Sequence, residues 1–270
     1  MSGQRSRLAP PNPAGAHFLR DRALITRLVG ASGAGQGDVV LDLGAGYGAI
    51  TAALAAAGAR VTAVERDPRL ARRLRRRFGA DPRVRVAEAD MLRVPLPRRD
   101  FLVVANIPFG ASTRLLRRLL GDPGVPLAGA ELITAHGVAC WLAGARPRDA
   151  ETAWWAARYR VCLVRRIPAA CFGPAPGTDA AQLSVRPRPV ARSAPAQRVL
   201  RALLRDAFAD RRRPVPVGRR VLLRAGIAPG TPAAELTAAD WHGLAWMLGT
   251  HVSPAGWKRG TPAAGRDLPR

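Results

Sequence analysis

Apolar and polar positions alternate along the chain with two different periods. Short apolar runs predict buried strands, whereas an apolar residue at every third or fourth position predicts a helix. The first predicted strands are 39–43, 61–64, 84–87, 101–105 and 131–134. The helices predicted around them are 18–29, 49–57, 68–78, 112–120 and a short one that ends at 142. Repeated strand–helix units predict a mostly parallel sheet with helices on both faces.

The pattern changes in the second half of the chain. Two β-rich runs, 159–164 and 182–185, have no predicted helix between them. They predict an antiparallel hairpin at one edge of the sheet, which brings the sheet to seven strands. After Pro187 and Pro189 only helical periodicity remains, in the segments 196–209, 218–225 and 238–248.

These patterns divide the chain into four parts. We expect a flexible basic arm at 1–17, an α/β domain at 18–190, a small all-helical domain at 191–250 and a flexible tail at 251–270. The arm and the tail are rich in Pro and Gly and show no period, as is typical of unpacked segments.

The sequence shows no signal for export or for membrane insertion. The most apolar uncharged run, 132–145, is too short to span a bilayer. The three cysteines, Cys140, Cys162 and Cys171, lack the spacing of a zinc site or a disulfide framework. We therefore expect a cytoplasmic protein without a metal, whose cysteines are small buried residues.

A glycine-rich turn separates the first strand of the parallel series from the helix after it. The sequence VLDLGAGYGAIT places Gly44, Gly46 and Gly48 there. A strand, a tight turn and a helix aim backbone N–H groups at a ligand, and glycine lets the ligand approach the chain. The spacing G-x-G-x-G is shorter than the G-x-G-x-x-G of dinucleotide sites and suits a nucleoside without a pyrophosphate. Taken alone, such a turn is equally consistent with an ordinary loop.

Two acidic residues end the next two strands. Glu65 ends the strand 61–64, where its carboxylate can accept both ribose hydroxyls, and Asp90 follows 84–87, where it can accept from an adenine amine. Either residue alone is consistent with a solvated surface position. Three ligand-suited features at the carboxyl ends of successive parallel strands together indicate a nucleoside site.

The segments LDLGAGYG, VTAVERD and AEADML resemble the S-adenosylmethionine motifs of Rossmann-like methyltransferases. The resemblance implies a Rossmann-like fold with S-adenosylmethionine as cofactor. It places Asp42 near the methionine end of the cofactor, Glu65 on the ribose, and Asp90 with Met91 on the adenine. The cofactor contacts that we predict are His17, Leu19, Asp42, Gly44, Ala45, Gly46, Glu65, Arg66, Asp90, Met91 and Asn106.

The tetrapeptide Asn106-Ile107-Pro108-Phe109 ends the fourth strand, where a methyl acceptor would face the cofactor. An exocyclic adenine amine is a poor nucleophile because its lone pair is delocalised into the ring. The Asn106 amide oxygen and a main-chain carbonyl beside Pro108 could accept its hydrogens and hold it in line with the methyl group. Phe109 would stack on the flipped-out base. An ordinary Asn-x-Pro turn with a core phenylalanine is the alternative.

The segment NIPFGAST resembles the N-[IL]-P-[YF] motif of the rRNA adenine N6-methyltransferases, which include the Erm resistance enzymes and the small-subunit dimethyladenosine transferases. The similarity extends from residue 18 to about 187 and includes a proline-rich loop at 167–176. Two departures stand out. Ala16-His17-Phe18-Leu19 replaces Gln-Asn-Phe-Leu, so the cofactor contact of that Asn falls to His17 or is lost. Ala135-His136-Gly137 replaces the Gln/basic/Glu of the family.

The chain is strongly basic. Lys and Arg number 43 against 19 Asp and Glu, which gives a net charge of +24 and favours a polyanionic partner such as nucleic acid. Residues 186–224 alone carry twelve Arg and two Asp. The predicted RNA contacts are Arg5, Arg7, Arg114, Arg117, Arg198, Arg201, Arg205, Arg211, Arg212, Arg213, Arg219 and Arg220. A second cluster at 72–77 is either an RNA contact or an ordinary exposed helix face.

The resemblance leads to a specific functional prediction. We expect N6-methylation of an unpaired adenine in 23S rRNA, as in Erm-type resistance to macrolide, lincosamide and streptogramin B antibiotics, by a monomer without an obligate protein partner. The tight fit of NIPFGAST and the basic arm favour this type. One alternative substrate is the 3′-terminal hairpin of 16S rRNA, doubly methylated on adjacent adenines. The other alternative is an RNA-binding protein that keeps a methyltransferase scaffold but catalyses no reaction.

Overall fold

The structure is a computed structural model that describes residues 17–190 and 193–251. The expectations for the basic arm, including the RNA contacts Arg5 and Arg7, and for nearly all of the tail lie outside these residues. The Cα positions divide the chain into two units. Within the described residues, the first unit comprises 17–144 together with Tyr159–Pro187. The second comprises Ala145–Arg158, 188–190 and 193–251.

The first unit is built on β-strands that follow the predicted series closely. The strands in the described residues are β1 (Phe18–Leu19), β2 (Val39–Leu43), β3 (Arg60–Glu65), β4 (Val84–Glu88), β5 (Phe101–Asn106), β6 (Leu127–Ala135), β7 (Tyr159–Ile167), β8 (Phe172–Gly173) and β9 (Ala180–Pro187). Seven of them form one sheet in the order β4-β3-β2-β5-β6-β9-β7, and β1 pairs with β8 alone.

The sheet is parallel from β4 to β6, and β9 runs antiparallel to both β6 and β7. The chain moves outward from β2 to β4 and then returns to place β5 on the other side of β2. This reversal of strand order opens a crevice at the carboxyl ends of β2 and β5, which is where open α/β sheets bind ligands. The predicted α/β fold with a mostly parallel seven-stranded sheet is confirmed.

Five helices of the first unit follow the strands: α1 (Arg22–Ser32), α2 (Ala49–Ala56), α3 (Pro68–Phe78), α4 (Ser112–Leu120) and α5 (His136–Leu142). Local sequence explains the start of α3, because the Asp67 carboxylate accepts from the Arg69 N–H at 2.7 Å and Pro68 occupies the first turn. Apolar side chains of α1 and α2, such as Leu28 and Leu54, are fully buried in one core; α1 packs on β5 and β6, and α2 packs on β2 and β3.

The helix predicted from residue 18 is wrong at its start. Phe18 and Leu19 are extended and pair with Gly173 and Phe172. The helix begins only after Asp21, whose side chain accepts from the Leu24 N–H at 3.0 Å. The two apolar side chains fit a helical period by chance, and an N-cap and a distant strand decide the local structure.

A buried carboxylate on β6 connects this strand to β9. Glu131 on β6 is 1% exposed and accepts hydrogen bonds from Gln182 Nε2 at 2.6 Å and Ser184 Oγ at 2.7 Å on β9. Arg186, also on β9, completes the cluster with an ion pair at 2.8 Å. Because the charge is both paired and hydrogen-bonded, it can be buried without a large penalty.

In the second unit, the described helices are α6 (Ala150–Arg158), α7 (Ala194–Ala209), α8 (Arg219–Arg224) and α9 (Ala238–His251). The apolar face of α7 points inward as expected: Leu200, Leu203 and Leu204 are buried, and the Phe208 ring lies 5.6 Å from that of Trp241. Helix α6 was not predicted. It lies between α5 and β7 in sequence but clusters with this unit, whereas the sequence-based division kept residues 145–158 in the α/β domain.

Three further observations concern the cysteines, membrane-spanning helices and metal binding. Cys140 and Cys162 are exposed and Cys171 is partly exposed, so the expectation of buried cysteines is wrong. Cys162 lies on the edge strand β7 at a position that alternation turns outward. None of the described helices combines the length and apolar character needed to cross a membrane. Within the same residues, no group of three or more His, Cys, Asp or Glu is placed to hold a metal ion.

Candidate functional site

The glycine turn after β2 lies between β3 and β5. The backbone N–H groups of Gly44 and Ala45 both donate to the Val64 carbonyl, at 2.8 and 3.0 Å, which fixes the turn against β3. Gly46 has a φ of +55°, and a Cβ there would lie 2.8 Å from the Phe18 ring. Glycine is therefore required at this position for both conformation and space.

Glu65 holds its carboxylate beside this turn. One oxygen, Oε2, accepts from the Gly46 N–H at 2.9 Å, and the other, Oε1, accepts from the Asp67 N–H at 2.9 Å. A carboxylate oxygen has two lone pairs, so each can still accept a ribose hydroxyl. The predicted ribose contact is thus oriented in advance by the backbone on either side of it.

Asp42 supplies a buried acceptor at the end of β2. Its Oδ2 accepts from Thr51 Oγ1 at 2.6 Å, while Oδ1 is buried and has no hydrogen-bond partner among the described residues. Burial raises the pKa of Asp42 to about 7; hydrogen bonds from Thr51 oppose the rise and the Glu65 charge adds to it. An unpaired buried carboxylate oxygen fits a ligand that brings a donor, above all a cationic one.

The loop after β4 places the predicted adenine contacts. The Asp90 side chain accepts from the Leu92 N–H at 2.8 Å and fixes the start of this loop. Arg118 of α4 donates to the carbonyls of Met91 and Val94 and so holds the rest of it. Burial lowers the pKa of Arg118, and the Asp90 charge opposes that effect. Arg118 was not predicted as a site residue, and the local sequence of α4 carries no signal for this contact.

The tetrapeptide follows β5 directly. The Asn106 side chain donates from Nδ2 to the His17 carbonyl at 2.6 Å, so its Oδ1 acceptor points away from that bond. Ile107 is buried, and its N–H donates to the Ile133 carbonyl at 2.9 Å, which anchors the peptide to β6. Pro108 and Phe109 are partly exposed. A Cβ on Gly44 would lie 3.7 Å from the Asn106 carbonyl oxygen, so the glycine turn and the tetrapeptide are in contact.

Residues 17–20 form a segment that crosses both features. The His17 ring lies 5.7 Å from the Phe109 ring, and Phe18 packs edge-on against Tyr47 at 4.6 Å. Pairing with β8 and a bond from His17 Nδ1 to the Pro174 carbonyl at 2.9 Å hold the segment to the proline-rich loop. Leu19 is buried in the core, which leaves only its backbone for a cofactor. Arg66 is exposed next to Glu65.

A family model described as "Ribosomal RNA adenine dimethylase" matches residues 12–248. The chain belongs to this family. Family membership confirms three predictions: the Rossmann-like methyltransferase fold, S-adenosylmethionine as cofactor, and adenine of rRNA as the methyl acceptor.

The chain is similar both to small-subunit rRNA methyltransferases and to proteins of the resistance and 23S rRNA type. A ribosomal RNA small subunit methyltransferase A from Gloeobacter violaceus is 34% identical over 91% of the chain and 96% of that protein. The mycinamicin-resistance protein MyrB from Micromonospora griseorubida is 36% identical over 90% of the chain and 81% of that protein. The crystal structure of 23S rRNA methyltransferase ErmE matches with a TM-score of 0.72 at 26% identity, over 86% of the chain and 99% of ErmE. The family is thus wider than the Erm type that the motifs suggested.

The predicted RNA contacts within the described residues are all exposed. Arg114 and Arg117 lie on α4 of the first unit, and the others lie in the second unit. Some are engaged within that unit: Arg201 stacks on Trp154 at 4.5 Å, and Arg213 pairs with Asp210 at 3.1 Å. Their role in RNA binding stays a prediction.

Replacement of Gly46 by alanine is expected to lower S-adenosylmethionine affinity at least about tenfold, since a methyl group at φ +55° and 2.8 Å from Phe18 must displace either the turn or the 17–20 segment. Equilibrium dialysis with labelled cofactor measures this change. The matched control is Gly30→Ala, a helical position where a Cβ meets nothing within 4 Å. Equal affinities for the two variants would show that the turn does not contact the cofactor.

Proposed function

We propose that this chain transfers methyl groups from S-adenosylmethionine to the N6 atom of an adenine in rRNA, with Asn106 as the residue that positions the amine. The observation that carries the proposal is the 2.6 Å bond from Asn106 Nδ2 to the His17 carbonyl. That bond fixes the amide plane, so that Oδ1 is presented as a rigid acceptor beside the glycine turn. A rigid acceptor lowers the barrier because it needs no reorganisation during the reaction.

Several residues fit the cofactor. We infer that Glu65 accepts the ribose hydroxyls, that the loop at Asp90 and Met91 takes the adenine, and that the orphan Oδ1 of Asp42 faces the methionine part. When bound, the cofactor supplies an electrophilic methyl group. Asn106 Oδ1 would accept one N6 hydrogen, and Phe109 would stack on the target base. The N6 lone pair would form the new N–C bond as the bond between the methyl group and the cofactor sulfur breaks, and the N6 proton would leave to solvent.

Cofactor affinity is expected to depend on pH through Asp42. Since the pKa of Asp42 is raised to about 7, its carboxyl is neutral below that pH and ionised above it. A cationic cofactor favours the ionised form, so affinity falls about tenfold for each pH unit below about 7 and levels off above it. Calorimetric titrations between about pH 5.5 and 7.5 test this range. In Asp42→Asn the dependence is expected to disappear, and a wild-type curve that is already flat would remove Asp42 from the cofactor site.

For the RNA substrate, the similarities favour the small-subunit type over the 23S type that the motifs suggested. The chain aligns with 96% of the length of the small-subunit methyltransferase from Gloeobacter violaceus, compared with 81% of MyrB. We therefore propose adjacent adenines in the 3′-terminal hairpin of 16S rRNA as the first candidate. Methylation of 23S rRNA is the second candidate, supported by the 36% identity to MyrB and by the fit to ErmE.

One experiment separates these candidates. Purified protein is incubated with labelled S-adenosylmethionine and with protein-free 16S or 23S rRNA, and the modified base is mapped by primer extension. Label in 16S rRNA supports the first candidate, and label in 23S rRNA alone supports the second. Label in neither, under conditions where the protein binds RNA, would instead support an RNA-binding protein without the reaction.

A further inference from the structure

Helix α3 presents a continuous basic face to solvent. It buries Ala71, Leu74 and Phe78 against the sheet, and every arginine in it is exposed. The helix contains no acidic residue. Among the described residues, the Arg75–Glu88 pair at 2.8 Å is the one ion pair to a carboxylate that an arginine of this helix makes. The central face is left with positive charge that no described carboxylate neutralises, at Arg69, Arg72, Arg73 and Arg76.

This face is joined to the candidate site through Tyr47. Tyr47 sits at the tip of the glycine turn and is 44% exposed. The Arg73 guanidinium lies over its ring at 5.0 Å, and Arg77 Nη1 donates to its carbonyl at 2.8 Å. Tyr47 also packs edge-on against Phe18 at 4.6 Å, and the residue before Phe18, His17, has its ring 5.7 Å from that of Phe109. The backbone between residues 17 and 18 therefore joins two ring contacts and one guanidinium contact into a row that runs from the tetrapeptide to α3.

A row of this composition matches single-stranded nucleic acid. Bases stack on aromatic rings and on guanidinium planes, while arginines along the row contact phosphates. A merely solvated helix face would account for the arginines, but not for an Arg73 guanidinium held over the Tyr47 ring at 5.0 Å. The fixed position of Tyr47 between Phe18 and Arg73 is more consistent with a stacking platform.

We propose that Tyr47 and the exposed arginines of α3 bind the single-stranded RNA that adjoins the target adenine. The proposal rests on the proposed function, since it takes the tetrapeptide as the place of the target base. The strand leaves Phe109, passes over Phe18 and Tyr47, and follows α3. This surface belongs to the first unit and is distinct from the arginine-rich segment of the second unit.

Binding of an unstructured fluorescein-labelled RNA of about twelve nucleotides, with one central adenine, tests the surface by anisotropy. The combined variant Arg72→Glu, Arg73→Glu, Arg76→Glu is expected to bind at least about tenfold more weakly, with a salt dependence lower by about two in slope. The matched control is Arg60→Glu, Arg98→Glu, Arg99→Glu, which makes the same charge change at exposed positions near the amino ends of β3 and β5. We expect the control to lose less than about threefold.

Tyr47 is tested separately, because its substitution also touches the glycine turn. Tyr47→Leu keeps an apolar contact with Phe18 but removes the ring, and it is expected to weaken binding about tenfold; Tyr47→Phe is expected to match the wild type. The proposal is overturned if the α3 variant equals its control, if Tyr47→Leu equals Tyr47→Phe, or if the wild type does not bind this RNA. A wild type that methylates neither rRNA removes the proposed function instead, and the binding comparison still decides the surface.

Discussion

Replacement of Asn106 by alanine is expected to lower the rate of methyl transfer about 10²–10³-fold at saturating cofactor and RNA. The structure gives the reason, because the amide is the polar side chain of the tetrapeptide and is held by its bond to the His17 carbonyl at 2.6 Å. Its loss removes an acceptor that is already in place when the amine becomes tetrahedral. Single-turnover transfer of labelled methyl groups measures the effect. RNA affinity is expected to stay within about threefold of the wild type, since the arginines remain.

A second substitution separates the two roles of this side chain. Asn106→Asp keeps an oxygen acceptor but loses the Nδ2 donor, and it sets a carboxylate against the His17 carbonyl. We expect a rate between those of the wild type and the alanine variant, because the acceptor survives while its orientation is lost. If the alanine variant retains a rate within about threefold of the wild type, Asn106 does not act on the reacting amine.

The fold was predictable wherever local sequence decides it. Helix α3 has the predicted bounds because Asp67 caps it and Pro68 opens it, both of which are visible in the sequence. The predicted strand 39–43 also has its observed bounds, because a short apolar run next to a glycine turn permits little else. Predictions failed where an element distant in sequence determines the local conformation. Phe18 and Leu19 are extended because of strand partners more than 150 residues away.

The sequence also does not reveal to which unit helix α6 belongs. Its sequence, AETAWWAAR, runs directly into the strand Tyr159–Ile167, so no turn residues separate the two elements. Its buried side chains, including Trp154 and Trp155, pack in a unit formed mostly by residues after 187. Neighbours in sequence therefore belong to different units, and no local pattern reveals such a crossing.

The candidate site also contains features that the sequence predicts and features that it does not. Glu65 and Asp90 could be named because each lies at the carboxyl end of a strand, and parallel strands bring these ends to one edge, whereas Asp42 was named from the family resemblance. The contacts that orient this edge were not predicted. Arg118 holds the loop after β4 from α4, and Arg73 stacks on Tyr47 from α3. These contacts depend on how helices dock on the sheet, which one sequence alone does not specify.

Replacement of Glu131 by alanine is expected to be the most destabilising single change considered, at about 3–5 kcal/mol. Glu131 is 1% exposed and accepts from Gln182 and Ser184 while pairing with Arg186. Its removal leaves donors of β9 without their buried acceptor and opens a space between β6 and β9. In a unit of this size the loss corresponds to a melting temperature lower by about 10 °C, which scanning calorimetry measures.

The control for this prediction is the exposed pair of the same chemistry. Glu88 pairs with Arg75 at the same 2.8 Å, but both side chains are more than a third exposed. Solvent screens such a pair, so Glu88→Ala is expected to cost less than about 1 kcal/mol. The carboxylate, the arginine partner and the distance are matched, so the contrast measures burial together with the bonds from Gln182 and Ser184. A similar melting temperature for both variants would mean that Gln182, Ser184 and Arg186 find other partners, and that the cluster does not stabilise the junction of β6 with β9.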